Sequence, residues 1–89
     1  MRIKLELFGA SRDFSNKEFL EFNIKQYMEI KDFRKEVINY LDKNFKGNEN
    51  FIKIVKNSVF CSEDNNIVSD DFKIIKDQKI SIIPPIGGG

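Results

Sequence analysis

The residues of this chain that can do chemistry are few, and most lie at its last positions, I-P-P-I-G-G-G over 83–89. The one reactive group there is the α-carboxylate of Gly89. A carboxylate is a poor electrophile until one oxygen becomes part of a leaving group; adenylated with ATP by another enzyme, its carbon becomes a good acyl donor. Gly87, Gly88 and Gly89 form a thread of bare backbone that suits a channel too narrow for any side chain. Pro84 and Pro85 each fix φ near −65° and lack an N–H, and a residue before proline is held extended. The chain therefore leaves the apolar run Ile80, Ile82, Ile83 in a set direction, and the stretch from Pro84 through Ile86 to Gly89 spans about 20 Å when extended. A frayed or truncated end is the competing reading of the same glycines. The Pro-Pro pair directly after a strongly apolar strand weighs against it without removing it.

Other chemistry is bounded by what is missing. The sequence has no His, which removes imidazole acid–base catalysis, Ser–His and Cys–His pairs and most zinc sites. Cys61 is the single cysteine, so no internal disulfide forms, as suits a reducing cytoplasm. It has no C-x-x-C partner and reads as a half-buried thiol. Glu63-Asp64 and Asp70-Asp71 lack EF-hand spacing and read as solvated loops, so no metal site is expected. There is no Walker loop and no G-x-G-x-x-G. Charge is balanced, 15 basic against 14 acidic residues, and no basic stripe points to nucleic acid. No apolar run approaches the roughly 20 residues of a membrane span. The opening M-R-I-K-L-E-L alternates charge with apolar residues, unlike a signal peptide, and a cytoplasmic location is expected.

The elements that must present this tail follow from periodicity. In 2–8, Ile3, Leu5 and Leu7 alternate with Arg2, Lys4 and Glu6, a half-buried strand. Residues 9–17 have loop composition, and 18–24 form a second strand with Leu20, Phe22 and Ile24 on one face. From Ile30 the period changes: Ile30, Phe33, Val37 and Leu41, widened by Ile38 and Phe45, make one face of an amphipathic helix that stops near Gly47. Residues 51–61 predict one bent strand, or two short ones broken near Lys56-Asn57-Ser58. Residues 67–75 predict a helical turn or loop covering the core, and 79–83 a last strand. Most simply, that strand lies parallel to the first. The result is an α+β domain of the β-grasp type over residues 1–84, a mixed four- to five-stranded sheet with one main helix across it, followed by a flexible tail, 85–89.

On these residues the chain resembles the ubiquitin-like sulfur carriers of the MoaD/ThiS type, and among them the small subunit of molybdopterin synthase. Phe8-Gly9 followed by Arg12-Asp13 resembles the family's F-[GA]-x-x-R-[ED] opening. Phe33-Arg34 resembles its L-R, V-K-N-S-V its V-N strand, and I-I-P-P-I-G-G-G its terminus. Gly87 replaces the usual Ser or Thr, and Asp77-Gln78 the usual Gly-Asp.

The resemblance implies that an E1-like (MoeB-like) enzyme adenylates Gly89 with ATP. A persulfide donor such as a cysteine desulfurase then supplies sulfur, leaving a thiocarboxylate. The tail next enters a MoaE-like large subunit, in a heterotetramer, and gives its sulfur to a cyclic pterin precursor. On this reading the chain is a co-substrate without catalytic side chains or a resident cofactor. Phe8, Phe60 and Ile83 are assigned to a partner-binding apolar patch, with Arg12 beside it; core packing, and for Arg12 a plain loop position, are the competing assignments. A carrier for thiazole or for tRNA or metabolite thiolation, a modifier joined to lysines through Gly89, and a β-grasp interaction module with an inert tail are the alternatives.

Overall fold

The computed structural model describes residues 1–85. Strand β1 (Arg2–Leu7) pairs antiparallel with β2 (Phe19–Asn23) and parallel with the last strand, β7 (Gln78–Ile83). On its other side β7 pairs antiparallel with β4 (Val59–Cys61), and β4 with β5 (Ile67–Val68). The sheet order is β2-β1-β7-β4-β5, so the first and last strands lie side by side in the middle. A two-stranded ribbon, β3 (Met28–Glu29) with β6 (Lys73–Ile74), closes the start of helix α1 (Ile30–Asn44). This is a β-grasp fold, as the order of apolar periods predicts.

Alternation builds the core. Leu7, Ile82, Phe60 and Val68 lie in one register row across four strands, and Leu20, Leu5 and Ile80 in another. Against these rows α1 lays Ile30, Phe33, Val37 and Leu41, all wholly buried. Asp32 accepts the Glu29 N–H at 3.2 Å, and its charge suits the positive helix end.

Three segments differ from the sequence expectation. Residues 51–61 are not strand throughout: Glu49–Asn57 is a second helix, α2, and only Val59–Cys61 is strand. The β-branched Ile52, Ile54 and Val55 suggest strand, but the spacing Phe51, Ile54, Val55 and Ser58 is helical. Asn48 starts the helix, its side-chain oxygen accepting the Phe51 N–H at 3.1 Å. Phe51 sits between Phe14 and Phe45, with ring centroids 5.1 and 5.0 Å away. That aromatic cluster is a tertiary reward invisible to local propensity. Second, Gly9–Phe14 is a 3-10 helix rather than loop, and it buries Ser11 and Phe14. Third, 67–75 contains the short strands β5 and β6 separated by a turn, not a helical turn.

Candidate functional site: the outer sheet face and the exit of the last strand

The face of the sheet turned away from α1 is built by the residues that alternate with the core. One row runs Lys79, Lys4, Glu21. The next runs Ile67, Cys61, Ser81, Glu6, Phe19 across all five strands. The third pairs Val59 with Ile83. Phe8 has extended backbone, φ −129° and ψ 153°, and continues β1 past the Leu7–Ile82 pair, which brings it level with Ile83. Polarity therefore falls row by row toward the point where β7 ends and the chain runs into Pro84-Pro85.

The polar end is tied up internally. Lys79 Nζ pairs with Glu6 at 3.3 Å, and Lys4 Nζ lies 4.2 Å from the Phe19 ring centroid. At the apolar end no ion pair or cation–π contact among the described residues covers the side chains. Ile67 is 72% exposed and Val59 40%, while Phe8, Cys61 and Ile83 are half-buried. Apolar side chains gathered on an open sheet face make it a candidate surface for meeting another molecule.

Of the residues assigned from sequence, Phe8 and Ile83 stand on this face, and Pro84 and Pro85 follow directly from it, Pro84 half-buried and Pro85 exposed. Phe60 does not stand on it. It is wholly buried, packed against Phe33 at 6.0 Å between ring centroids. The reason is parity: Phe60 pairs with Ile82, an inward residue, so its neighbours Val59 and Cys61 face out. Val59 and Ile67 are the outer-face residues the sequence reading missed; Val59 faces out because it pairs with Ile83 across the sheet. Arg12 is exposed in the last turn of the 3-10 helix. The assignments to Ile86, Gly87, Gly88 and Gly89 lie outside the described residues.

Arg34 acquires a role that its sequence neighbourhood does not reveal. Its guanidinium donates to the carbonyls of Val55 and Ser58, each at 2.7 Å, and lies 4.8 Å from the Phe60 ring centroid. It also pairs with Asp70 at 3.2 Å. Arg34 thus satisfies carbonyls at the end of α2 and holds the residue from which β4 starts, next to Val59. Asp77 Oδ1 likewise accepts the Arg2 N–H at 2.8 Å, tying the turn before β7 to the start of β1.

Elsewhere the surface offers shallow depressions. One of about 440 Å³ lies by Tyr27, Ile75 and Glu29, whose carboxylate is held between Lys31 at 3.4 Å and Lys73 at 3.3 Å. Among the described residues no cluster of three or more His, Cys, Asp or Glu could hold a metal ion. Among them, too, no helix is long and apolar enough to cross a membrane.

Fold and outer face together define a ubiquitin-like β-grasp domain whose last strand leaves the sheet beside an apolar surface. Solved structures share that fold over the whole chain. A protein provisionally named molybdopterin converting factor, subunit 1, from Pyrococcus furiosus matches with a TM-score of 0.70 at 16% identity, covering 96% of this chain and 98% of its own. SAMP1 from Haloferax volcanii matches with a TM-score of 0.69 at 10% identity, covering both chains completely. At these identities the likeness establishes the fold. No protein-family model matches the sequence, and the comparison with curated proteins gives no match.

Proposed function

We propose that this chain is a sulfur carrier and the small subunit of a molybdopterin synthase. The observation that carries the reading is the placement of an apolar outer face, Val59, Ile67, Ile83 and Phe8, where β7 hands the chain to Pro84-Pro85 and a Gly-Gly-Gly terminus. A partner seated on that face has the C-terminal segment beginning within its footprint. The sequence motifs and the fold shared with a converting factor subunit support the pathway.

In this reading an E1-like enzyme joins the Gly89 carboxylate to AMP and releases pyrophosphate. A persulfide sulfur attacks the acyl carbon and AMP leaves with the C–O bonding pair. A thiol then reduces the resulting acyl disulfide, leaving the thiocarboxylate and a disulfide of the two thiols. The large subunit accepts the loaded tail, and two carriers serve each dithiolene. This chain contributes the acyl group and the docking face; acid–base chemistry belongs to its partners.

Intact mass tests the proposal. Incubation with an activating enzyme, ATP and a persulfide donor is expected to exchange one oxygen for sulfur at Gly89, and deletion of Gly89 to abolish the exchange and molybdopterin formation. Sulfur exchange or product formation that survives the deletion overturns it. A second reading, a modifier joined through Gly89 to lysines, is kept by the equally complete likeness to SAMP1. Covalent adducts of high mass in place of sulfur exchange would favour it.

A further inference from the structure

The point where β1 ends is a hydrogen-bonded turn that lies beside Pro84, where the chain leaves β7. Gly9 has φ +54°, the left-handed region that side chains disfavour. A Cβ placed on it would lie 3.9 Å from both Cδ and Cγ of Pro84. A methyl group would only touch the ring, whereas a longer side chain would compete with it for space. The turn is locked from below by Ser11, which is wholly buried. Ser11 Oγ accepts the Phe8 N–H at 2.9 Å and donates to the Phe8 carbonyl at 2.6 Å, while the Ser11 N–H reaches the same carbonyl at 3.1 Å. Phe8 is in turn fixed to the sheet through Leu7, level with Ile82.

We infer that Gly9, held in place by Ser11, is a positioning residue for the C-terminal segment: the Pro84 ring seats on its bare backbone, and this seat sets the direction in which the chain leaves the sheet. Proline alone fixes φ at 84 and 85, but it does not fix where the ring rests. The seat does, by joining the end of β1 to the end of β7 beyond their last register pair. Its consequence for the acyl group rests on the sulfur-carrier reading above; the seat itself does not.

The full chain tests it in two ways. Residual dipolar couplings of the Cα–Hα bonds at 83–85 are compared for the wild type, Gly9→Asn and Pro84→Ala. Asn tolerates left-handed backbone, so Gly9→Asn keeps the turn while placing a branched side chain against the ring. Both variants are expected to change the couplings at 84 and 85 and to leave those within β1 and β7 as in the wild type. Couplings at 84 and 85 that stay unchanged overturn the inference. If Gly9→Asn fails to fold, Gly9→Asp, which also tolerates left-handed backbone and leaves Pro84 in place, decides.

The second readout is kcat/KM for adenylation of Gly89. Each variant is expected to lose about tenfold, the scale of a small misplacement of a reacting group. The double variant is expected to lose no more than the worse single one, because both act through the same contact. Losses that multiply, or none in either variant, overturn the inference. A wild-type chain that no activating enzyme adenylates defeats the carrier reading instead, and the couplings then decide the seat alone.

Discussion

At the scale of single residues, the strongest demands fall on polar groups that tie elements together. Arg34 satisfies two carbonyls near the end of α2 with one nitrogen, and its side chain is only 19% exposed. Arg34→Ala is expected to cost about 2–4 kcal/mol in denaturant unfolding, because those carbonyls lose a charged donor. A Lys nitrogen can donate to the same carbonyls but lacks the flat guanidinium that lies over the Phe60 ring, so Arg34→Lys is expected to recover only part. The pair with Asp70 adds little, since Asp70 is 67% exposed. Asp71 shows a local titration effect. The Ser69 hydroxyl donates to its carboxylate, which with the Asp71 backbone N–H holds the pKa below the ordinary 3.8, against a small opposing effect of burial. A depressed carboxyl favours the folded state above its unfolded pKa, and that contribution fades as pH falls below about 3.8 through the folded value. Ser69→Ala is expected to raise the Asp71 pKa toward the ordinary value in an NMR titration, with unfolding at neutral pH nearly unchanged because the group is exposed.

At the scale of elements, parity in β4 separates a core position from a surface position. Phe60 faces in and Val59 faces out, one residue apart. Phe60→Ala is expected to cost about 3–5 kcal/mol, the usual loss for a buried aromatic ring. Val59→Ser is expected to cost under about 1 kcal/mol and, on the proposed reading, to weaken binding to the activating enzyme or the large subunit, as calorimetry would read. Sequence periodicity resolved the long elements and not this one. β1, β7 and α1 each carry enough alternating or helical repeats for one period to dominate, and Ile3, Leu5, Leu7 and Ile30, Phe33, Val37, Leu41 are all buried as their spacing requires. β4 has three residues, too few to define parity, and it follows α2, whose Ile52, Ile54 and Val55 suit a strand as well as a helix. The 3-10 helix was illegible for a different reason: what orders Gly9–Phe14 is the burial of Phe14 and Ser11 against distant elements. Ile67 was recognisable as apolar, but its exposure depends on pairing with Cys61, a contact set by the sheet and not by local sequence.

At the scale of the whole molecule, the fold places its first and last strands together at the centre of the sheet, so the chain's last strand is anchored on both sides before it reaches Pro84. On the proposed reading, docking and reaction then fall to separable parts of one chain, with the outer face binding whether or not Gly89 is present. A chain ending at Pro85 is therefore expected to fold with a thermal midpoint within about 4 °C of the full chain, a shift worth less than roughly 1 kcal/mol. It is also expected to compete with the full chain for the activating enzyme while accepting no adenylate. Pyrophosphate exchange at rising concentrations of the truncated chain measures this, and the inhibition should be competitive with the full chain. Introducing Val59→Ser and Ile67→Ser into the truncated chain is expected to raise its inhibition constant at least tenfold, since the two most exposed apolar positions of the face are then polar. Inhibition that is unchanged by both substitutions would place the docking surface elsewhere on the domain, and a truncated chain that folds but does not compete would place it in the C-terminal segment itself.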